Sequence, residues 1–206
     1  MSGGAVAAPE GELLEATFFE RDVHTVAREL VGCSLRFAGA GGVIVETESY
    51  ERDDPACHAH AGLTARTEVL FGPPARAYVY LSYGIHSLLN FVAEPEGDAA
   101  AVLIRALEPV WGLEAMARRR GVSEPRSLCS GPGKLGQALG IGLESNRAPI
   151  TEPPFELRGP APSWREVEVV AGPRVGISVA TELPWRFCAA ASPHLSRPPR
   201  LNGGGR

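Results

Sequence analysis

Residues 45–50 read VETESY. On a strand, side chains alternate between two faces. Glu46, Glu48 and Tyr50 then share one side, and Val45, Thr47 and Ser49 the other. Val43 and Ile44 precede the run, so a strand over 43–50 sits in apolar company. Two carboxylates and a phenol on one face admit two readings. One is a solvated strand face. The other is a positioned carboxylate, basic enough to activate water, beside an aromatic wall.

Working outward, AGAGG at 38–42 reads as a hairpin-like turn back to a strand over 34–37. Before it, DVHTVARELV at 22–31 carries apolar residues at helical spacing, with Asp22 as N-cap and Gly32 as C-cap. Residues 51–76 are polar and rich in turn formers, a long loop of the kind that usually carries function. YVYLSYG at 78–84 predicts a strand entering a turn, and AAVLIRAL at 100–107 a buried strand. Residues 108–120 predict a helix with Pro109 at its first position and three arginines at its end. SGPGKLGQALGI at 130–141 predicts a turn into a short helix, and 146–166 a Pro-rich irregular stretch. A hairpin is expected from 167–170 and 174–177, and a last strand over 187–190. Strands outnumber helices without regular alternation, which predicts one α+β domain over 12–196 with a largely antiparallel sheet. Tails are expected at 1–11 and 197–206.

The four cysteines (Cys33, Cys57, Cys129, Cys188) form neither a CxxC pair nor a disulfide framework. The N-terminus lacks the pattern of a signal peptide, and no apolar run approaches a membrane span of ~18 residues. These features predict a cytoplasmic protein. The net charge of −4 argues against gripping nucleic acid by global charge, though not against a local basic groove. Of the 20 basic residues, 19 are Arg, and Lys134 is the single lysine. An amine nucleophile therefore has one candidate.

Tyr78, Tyr80 and Tyr83 lie within six residues, suited to a strand or to a stacking platform for a planar ring. A tyrosine beside Gly84 at a turn tip can insert into a base stack. CHAH places His58 and His60 near Asp53, Asp54 and Glu48, a set that suits either a hydrogen-bonded loop or a metal. Asn90 and Arg105 interrupt apolar runs, and a buried Arg105 needs a carboxylate such as Glu46 or Glu48.

Taken in order, VETESY, HAHAG, RTEVLFGPPARAYVYLSYGIHSLLNFV, AAVLIRALEP, LCSGPGKLGQALGI and RFCAAASP closely resemble the alkyladenine (3-methyladenine) DNA glycosylase family, over about residues 17–196. The resemblance implies a single mixed domain on a curved, open-barrel-like antiparallel sheet flanked by helices. It implies hydrolysis of the N-glycosidic bond of alkylated purines in double-stranded DNA, with no metal and no organic cofactor, by a monomer acting on the nucleoid. It implies Glu48 as general base and Arg105 beside the attacking water. Tyr50, His58, Tyr80 and Asn90 would form the base pocket, Asn90 excluding guanine, and Tyr83 would fill the hole in the duplex. Departures from the family pattern are Ser49 for the usual Ala, a loop before His58 shorter by one residue, and His86 with Ser87 below the pocket. Arg52, Arg66, Arg76, Lys134 and Arg186 are the candidates for phosphate contacts. The competing readings are a metal-dependent hydrolase built on Glu48, His58 and His60, and a silent nucleic-acid-binding module of the same fold.

Overall fold

The computed structural model describes residues 11–198. Of the expected tails, only residues 11, 197 and 198 fall among the described residues. The strands are β1 (Ser34–Phe37), β2 (Ala40–Tyr50), β3 (Ala77–Ser82), β4 (His86–Ala93), β5 (Ala100–Trp111), β6 (Phe155–Arg158), β7 (Val169–Gly172) and β8 (Arg186–Ala189). The helices are α1 (Val23–Glu29), α2 (Leu113–Arg120), α3 (Pro125–Leu128) and α4 (Pro132–Leu139).

The eight strands form one open sheet in the order β3-β4-β5-β2-β1-β6, with β8 on β2 and β7 on β8. Every pairing is antiparallel. This is the α+β architecture expected from the sequence. β2 is its axis: β5 runs along one edge from Gly41 to Tyr50. On the other edge β1 pairs with Ala40–Val43 and β8 with Glu46–Glu48. The β2–β5 register slips on both sides of Glu46, so neither Val45 nor Arg105 has a direct partner across the ladder. Such bulges bend a strand and re-aim its side chains. Here they sit at the carboxylate pair.

One face of β2 is covered by α1. The Thr47 hydroxyl donates to the Ala27 carbonyl at 2.7 Å, and Ser49 Oγ lies 2.8 Å from His24 Nδ1. Asp22 caps α1 by accepting from the Thr25 N–H at 2.7 Å. Val23, Val26, Ala27 and Leu30 are wholly buried in the main core with Phe19, Ile44, Phe91, Ile104 and Leu107. Large apolar side chains buried this fully contribute about 1.5–3 kcal/mol each. Glu46, Glu48 and Tyr50 face the opposite way. Among the described residues no helix is long and apolar enough to cross a membrane.

Three local expectations are corrected. The helix expected to start at Glu108-Pro109 starts after Gly112, because β5 continues to Trp111 against Gly41 and Gly42. Those glycines let the backbones approach closely: a Cβ on Gly42 would run into the Glu108 carbonyl. Pro109 is tolerated because β4 pairs only with Ala100–Leu103 and the 129–130 segment bridges β5 only at Ala106 and Leu107, so no strand pairs with Pro109 on that edge. Within 146–166, residues 155–158 form β6 on the edge of β1. The expected hairpin of 167–170 with 174–177 is absent. β7 pairs with β8 instead, Pro173 ends it, and residues 173–177 turn away toward the Glu48 side of the sheet.

α4 packs on β4 through Gly136, where a Cβ would collide with the Ser87 carbonyl oxygen. Gly136→Ala is expected to lower stability by about 1–3 kcal/mol through overpacking. Urea unfolding checks this, and an unchanged midpoint would show that helix and hairpin part freely.

Candidate functional site

The pocketward face of β2 ends in a cleft of about 510 Å³. Tyr50, Arg105 and Val175 form part of its lining, and all three donate hydrogen bonds to Glu48, which lies fully buried behind them. Glu48 Oε2 accepts from the Tyr50 hydroxyl at 2.8 Å and from Arg105 Nη1 at 3.0 Å. Glu48 Oε1 accepts from the Val175 N–H at 2.7 Å.

Glu46, two residues back on the same face, is more heavily bound. Its Oε1 accepts from Arg105 Nε at 2.7 Å, Arg186 Nε at 2.8 Å and the Ser196 hydroxyl at 2.6 Å. Its Oε2 accepts from the Ser196 N–H at 2.6 Å. The two carboxyls are driven apart. Burial alone would raise Glu46, but Arg105, Arg186 and Ser196 overcome it and hold the group below the usual glutamate range. Burial wins at Glu48 and lifts it above that range, against the pull of Arg105, the Val175 N–H and Tyr50. Glu46 is thus a fixed anion. Glu48 is the stronger base of the pair, and differently tuned carboxyls on one site mark separate roles.

The opposite wall is aromatic. His58 packs edge-on against Tyr80, with ring centres 4.6 Å apart, and Tyr80 lies tilted beside Tyr78 at 5.3 Å. His58 Nε2 faces Arg66 Nη2 at 3.3 Å. Arginine only donates, so Nε2 is the acceptor and Nδ1 carries the proton toward the Tyr78 hydroxyl, 2.8 Å away. Burial and Arg66 both lower the His58 pKa, which favours this neutral form. Burial pushes the Tyr80 phenol up to about 12. Asn90 is buried on the cleft lining and donates to the Tyr78 carbonyl at 3.0 Å.

Tyr83 stands at the tip of the β3–β4 turn, 91% exposed. The turn is closed by the Ile85 N–H on the Ser82 carbonyl, with Tyr83 at φ 51° and Gly84 at φ 72°. A non-glycine residue in the left-handed region is held at a cost of roughly 1–2 kcal/mol. Ile85, at the same tip, is also exposed.

The expected site residues fall into three groups. Glu48, Arg105, Tyr50, His58, Tyr80, Asn90 and Tyr83 gather in or behind one cleft, whereas His60 is exposed outside it. Arg66 lines the cleft with its guanidinium 5.2 Å from the Tyr80 ring centre. Arg52 and Lys134 are exposed and Arg76 is half-buried, outside the lining. Arg186 is corrected as a phosphate contact: it is buried, with its guanidinium taken by Glu46 and the Arg197 carbonyl. No group of three or more His, Cys, Asp or Glu among the described residues is placed to hold a metal.

Arg174 was not read as a site residue, and Asp54 was read only as a possible metal ligand beside His58 and His60; their pairing was not expected. They form a fully buried ion pair, with Arg174 Nη2 to Asp54 Oδ1 at 3.0 Å and Nη1 on Oδ2. The guanidinium lies between the rings of Tyr50 and Trp185, at 4.6 and 5.0 Å. The only sequence signal was an arginine between Pro173 and Val175, in a stretch read as a hairpin strand.

Comparison with known proteins places these residues in a family. Residues 17–193 match the family described as methylpurine-DNA glycosylase. A Rhodopseudomonas palustris protein named "Putative 3-methyladenine DNA glycosylase" is 57% identical over 190 residues, covering 91% of this chain and 90% of its own. Proteins with the same name from Nitrosospira multiformis and Rhizobium meliloti are 56% and 51% identical. The first covers 84% of this chain and 88% of its own, the second 89% and 96%.

Proposed function

The chain belongs to the methylpurine-DNA glycosylase family, and from that premise we propose that it excises alkylated purines, 3-methyladenine and 7-methylguanine among them, from double-stranded DNA. The observation that carries this reading is the carboxylate pair. Glu46 is locked as an anion by four donors, while Glu48, raised by burial, keeps three donors and lies directly behind the aromatic cleft.

A base inside a duplex is unreachable, so the damaged nucleotide is extruded at a cost of a few kcal/mol. Tyr83, held at the turn tip, takes the vacated place in the stack. Tyr50, His58 and Tyr80 enclose the base, and Asn90 disfavours the 2-amino group of guanine. A methylated purine that carries positive charge gains about 0.5–2 kcal/mol from an aromatic face. Arg66 either moves aside as the base enters or stacks on it. Glu48 then takes a proton from a water aimed at the sugar C1′, and its charge stabilises the cation developing on the sugar. Tyr50 is the partner that the water displaces from Oε2 or shares with it. Arg105 holds Glu48 in place. The departing base already carries positive charge, so it needs little acid assistance. The water adds to C1′ as the glycosidic bond breaks, and an abasic site remains.

The test is release of methylated purines from alkylated duplex DNA in EDTA. Unchanged release in EDTA fits the reading. Loss of release on chelation would favour the metal hydrolase, and binding without release the silent module. Lys134 Nζ is exposed, 3.3 Å from Ser130 Oγ and outside the cleft lining, so no lyase step is proposed. Borohydride trapping of an enzyme–DNA adduct would overturn that. Tyr83→Ala is expected to slow excision from duplex DNA roughly 5- to 150-fold, the equivalent of 1–3 kcal/mol of stacking. Excision from single-stranded DNA should barely change. An equal loss on both substrates would remove Tyr83 from the wedge role.

A further inference from the structure

We propose that the buried Arg174–Asp54 pair positions Glu48: it pins the 173–177 segment so that the Val175 N–H is held on the carboxylate. The inference rests on the reading of Glu48 as the base. Arg174 is held through both Nη atoms and by two aromatic rings, while its Nε has no partner. Asp54 binds it through both oxygens, the Ser49 carbonyl accepts from Nη1 at 3.1 Å, and Tyr50 and Trp185 enclose its plane. A guanidinium held by a planar fork and two aromatic faces has almost no freedom. The next residue in the chain is Val175, whose N–H meets Glu48 Oε1 at 2.7 Å. No regular strand fixes this segment, since β7 ends at Gly172 and β8 begins at Arg186.

The pair also joins two parts of the site. Asp54 lies in the 51–76 loop that carries His58 and Arg66. Arg174 lies in the segment that supplies Val175 to the cleft lining. One ion pair therefore ties the base-enclosing loop to the wall nearest the carboxylate, and it backs the ring of Tyr50 on the face that Arg174 covers.

Other charged or titratable groups act on Glu48. Arg105 reaches it from β5, Glu46 and Tyr50 from its own strand, Arg186 and Cys188 lie on β8, and Tyr80 on β3. The double variant Asp54→Asn, Arg174→Gln isolates the pair from these. It removes one charge of each sign and orphans no buried charge. Arg174 also acts on Glu48 through space, and Arg174→Lys, which keeps that charge, separates this effect from the clamp. What the double variant loses besides is the clamp. With the Val175 N–H freed, ionised Glu48 loses a donor, and its titration must move to higher pH.

The experiment is carbon-13 NMR of DNA-free protein labelled at the glutamate carboxyl carbon, with Glu48→Gln used to assign the Glu48 signal. The Glu48 midpoint is expected to rise by about one pH unit in the double variant, a tenfold change in proton affinity. Arg174→Lys keeps the charge but loses the fork, and should show a smaller rise of the same sign. A midpoint unmoved in both variants overturns the proposal and leaves the pair a structural contact. The acid limb of kcat, measured in parallel, should follow the NMR midpoint while KM for DNA stays within about twofold. A displaced midpoint with an unmoved rate profile would sink the assignment of Glu48 as base and leave the positioning role standing.

Discussion

Glu48→Gln is expected to lower the rate of methylpurine release by about 10²–10⁴-fold while the protein stays folded and still binds DNA. The substitution keeps the shape of the side chain and removes its basicity. Tyr50 and Arg105 both donate to Oε2, and the Val175 N–H to Oε1. An amide has one acceptor oxygen for these two sides, so one hydrogen bond is lost, about 1 kcal/mol. Against that, burial makes the ionised Glu48 unfavourable, as its raised pKa records, and the neutral amide relieves that strain. The melting temperature should therefore stay within a few degrees of the parent. A base must be deprotonated to act. Wild-type excision should fall as pH drops through the Glu48 value, so its acid limb should lie above the ordinary glutamate range. Retained release by Glu48→Gln would remove it as the base. Unfolding of the variant would show instead that its charge holds the sheet.

Much of this site was legible because it rests on local periodicity. Alternation along β2 puts Glu46, Glu48 and Tyr50 on one face, and the Thr47 and Ser49 contacts with α1 show what occupies the other. An arginine in the apolar run of β5 required a carboxylate, and it bridges both glutamates. The missed parts depend on contacts that spacing does not encode. Asp54 and Arg174 meet across 120 residues, and Ser196 reaches Glu46 across 150. The helix misread at 108–120 failed for the same reason. Pro109 at a helix start is a valid local signal, but Gly41 and Gly42 offered β5 a partner that local reading does not see. At 173–177, the alternating residues favoured a strand. Pro173 and the Val175 bond to Glu48 instead draw that segment away from the ladder.

Arg105→Met is the substitution expected to cost most stability, about 3–5 kcal/mol near neutral pH, because it strips a buried cation from two buried carboxylates. Methionine fills much of the volume but returns none of the charge. Arg186 and Ser196 still hold Glu46, whereas Glu48 keeps only Tyr50 and Val175. The pH dependence has a definite sign. Glu46, held below its ordinary value, contributes stability that is present above the unfolded value and is lost as pH falls through the lowered folded one. Glu48, held above its ordinary value, works the other way and costs stability as pH rises through the unfolded value. Removing Arg105 moves both folded values upward, which erodes the first contribution and enlarges the second cost. Both changes act only where the unfolded glutamates are ionised. The deficit should therefore be full at pH 7 and shrink as pH falls below about 4. Urea unfolding of parent and variant at the two ends of that range measures it. A deficit that does not change with pH would mean that Arg105 holds the sheet by packing alone. In that case the Glu46–Arg105–Glu48 bridge would no longer account for the tuning of the base.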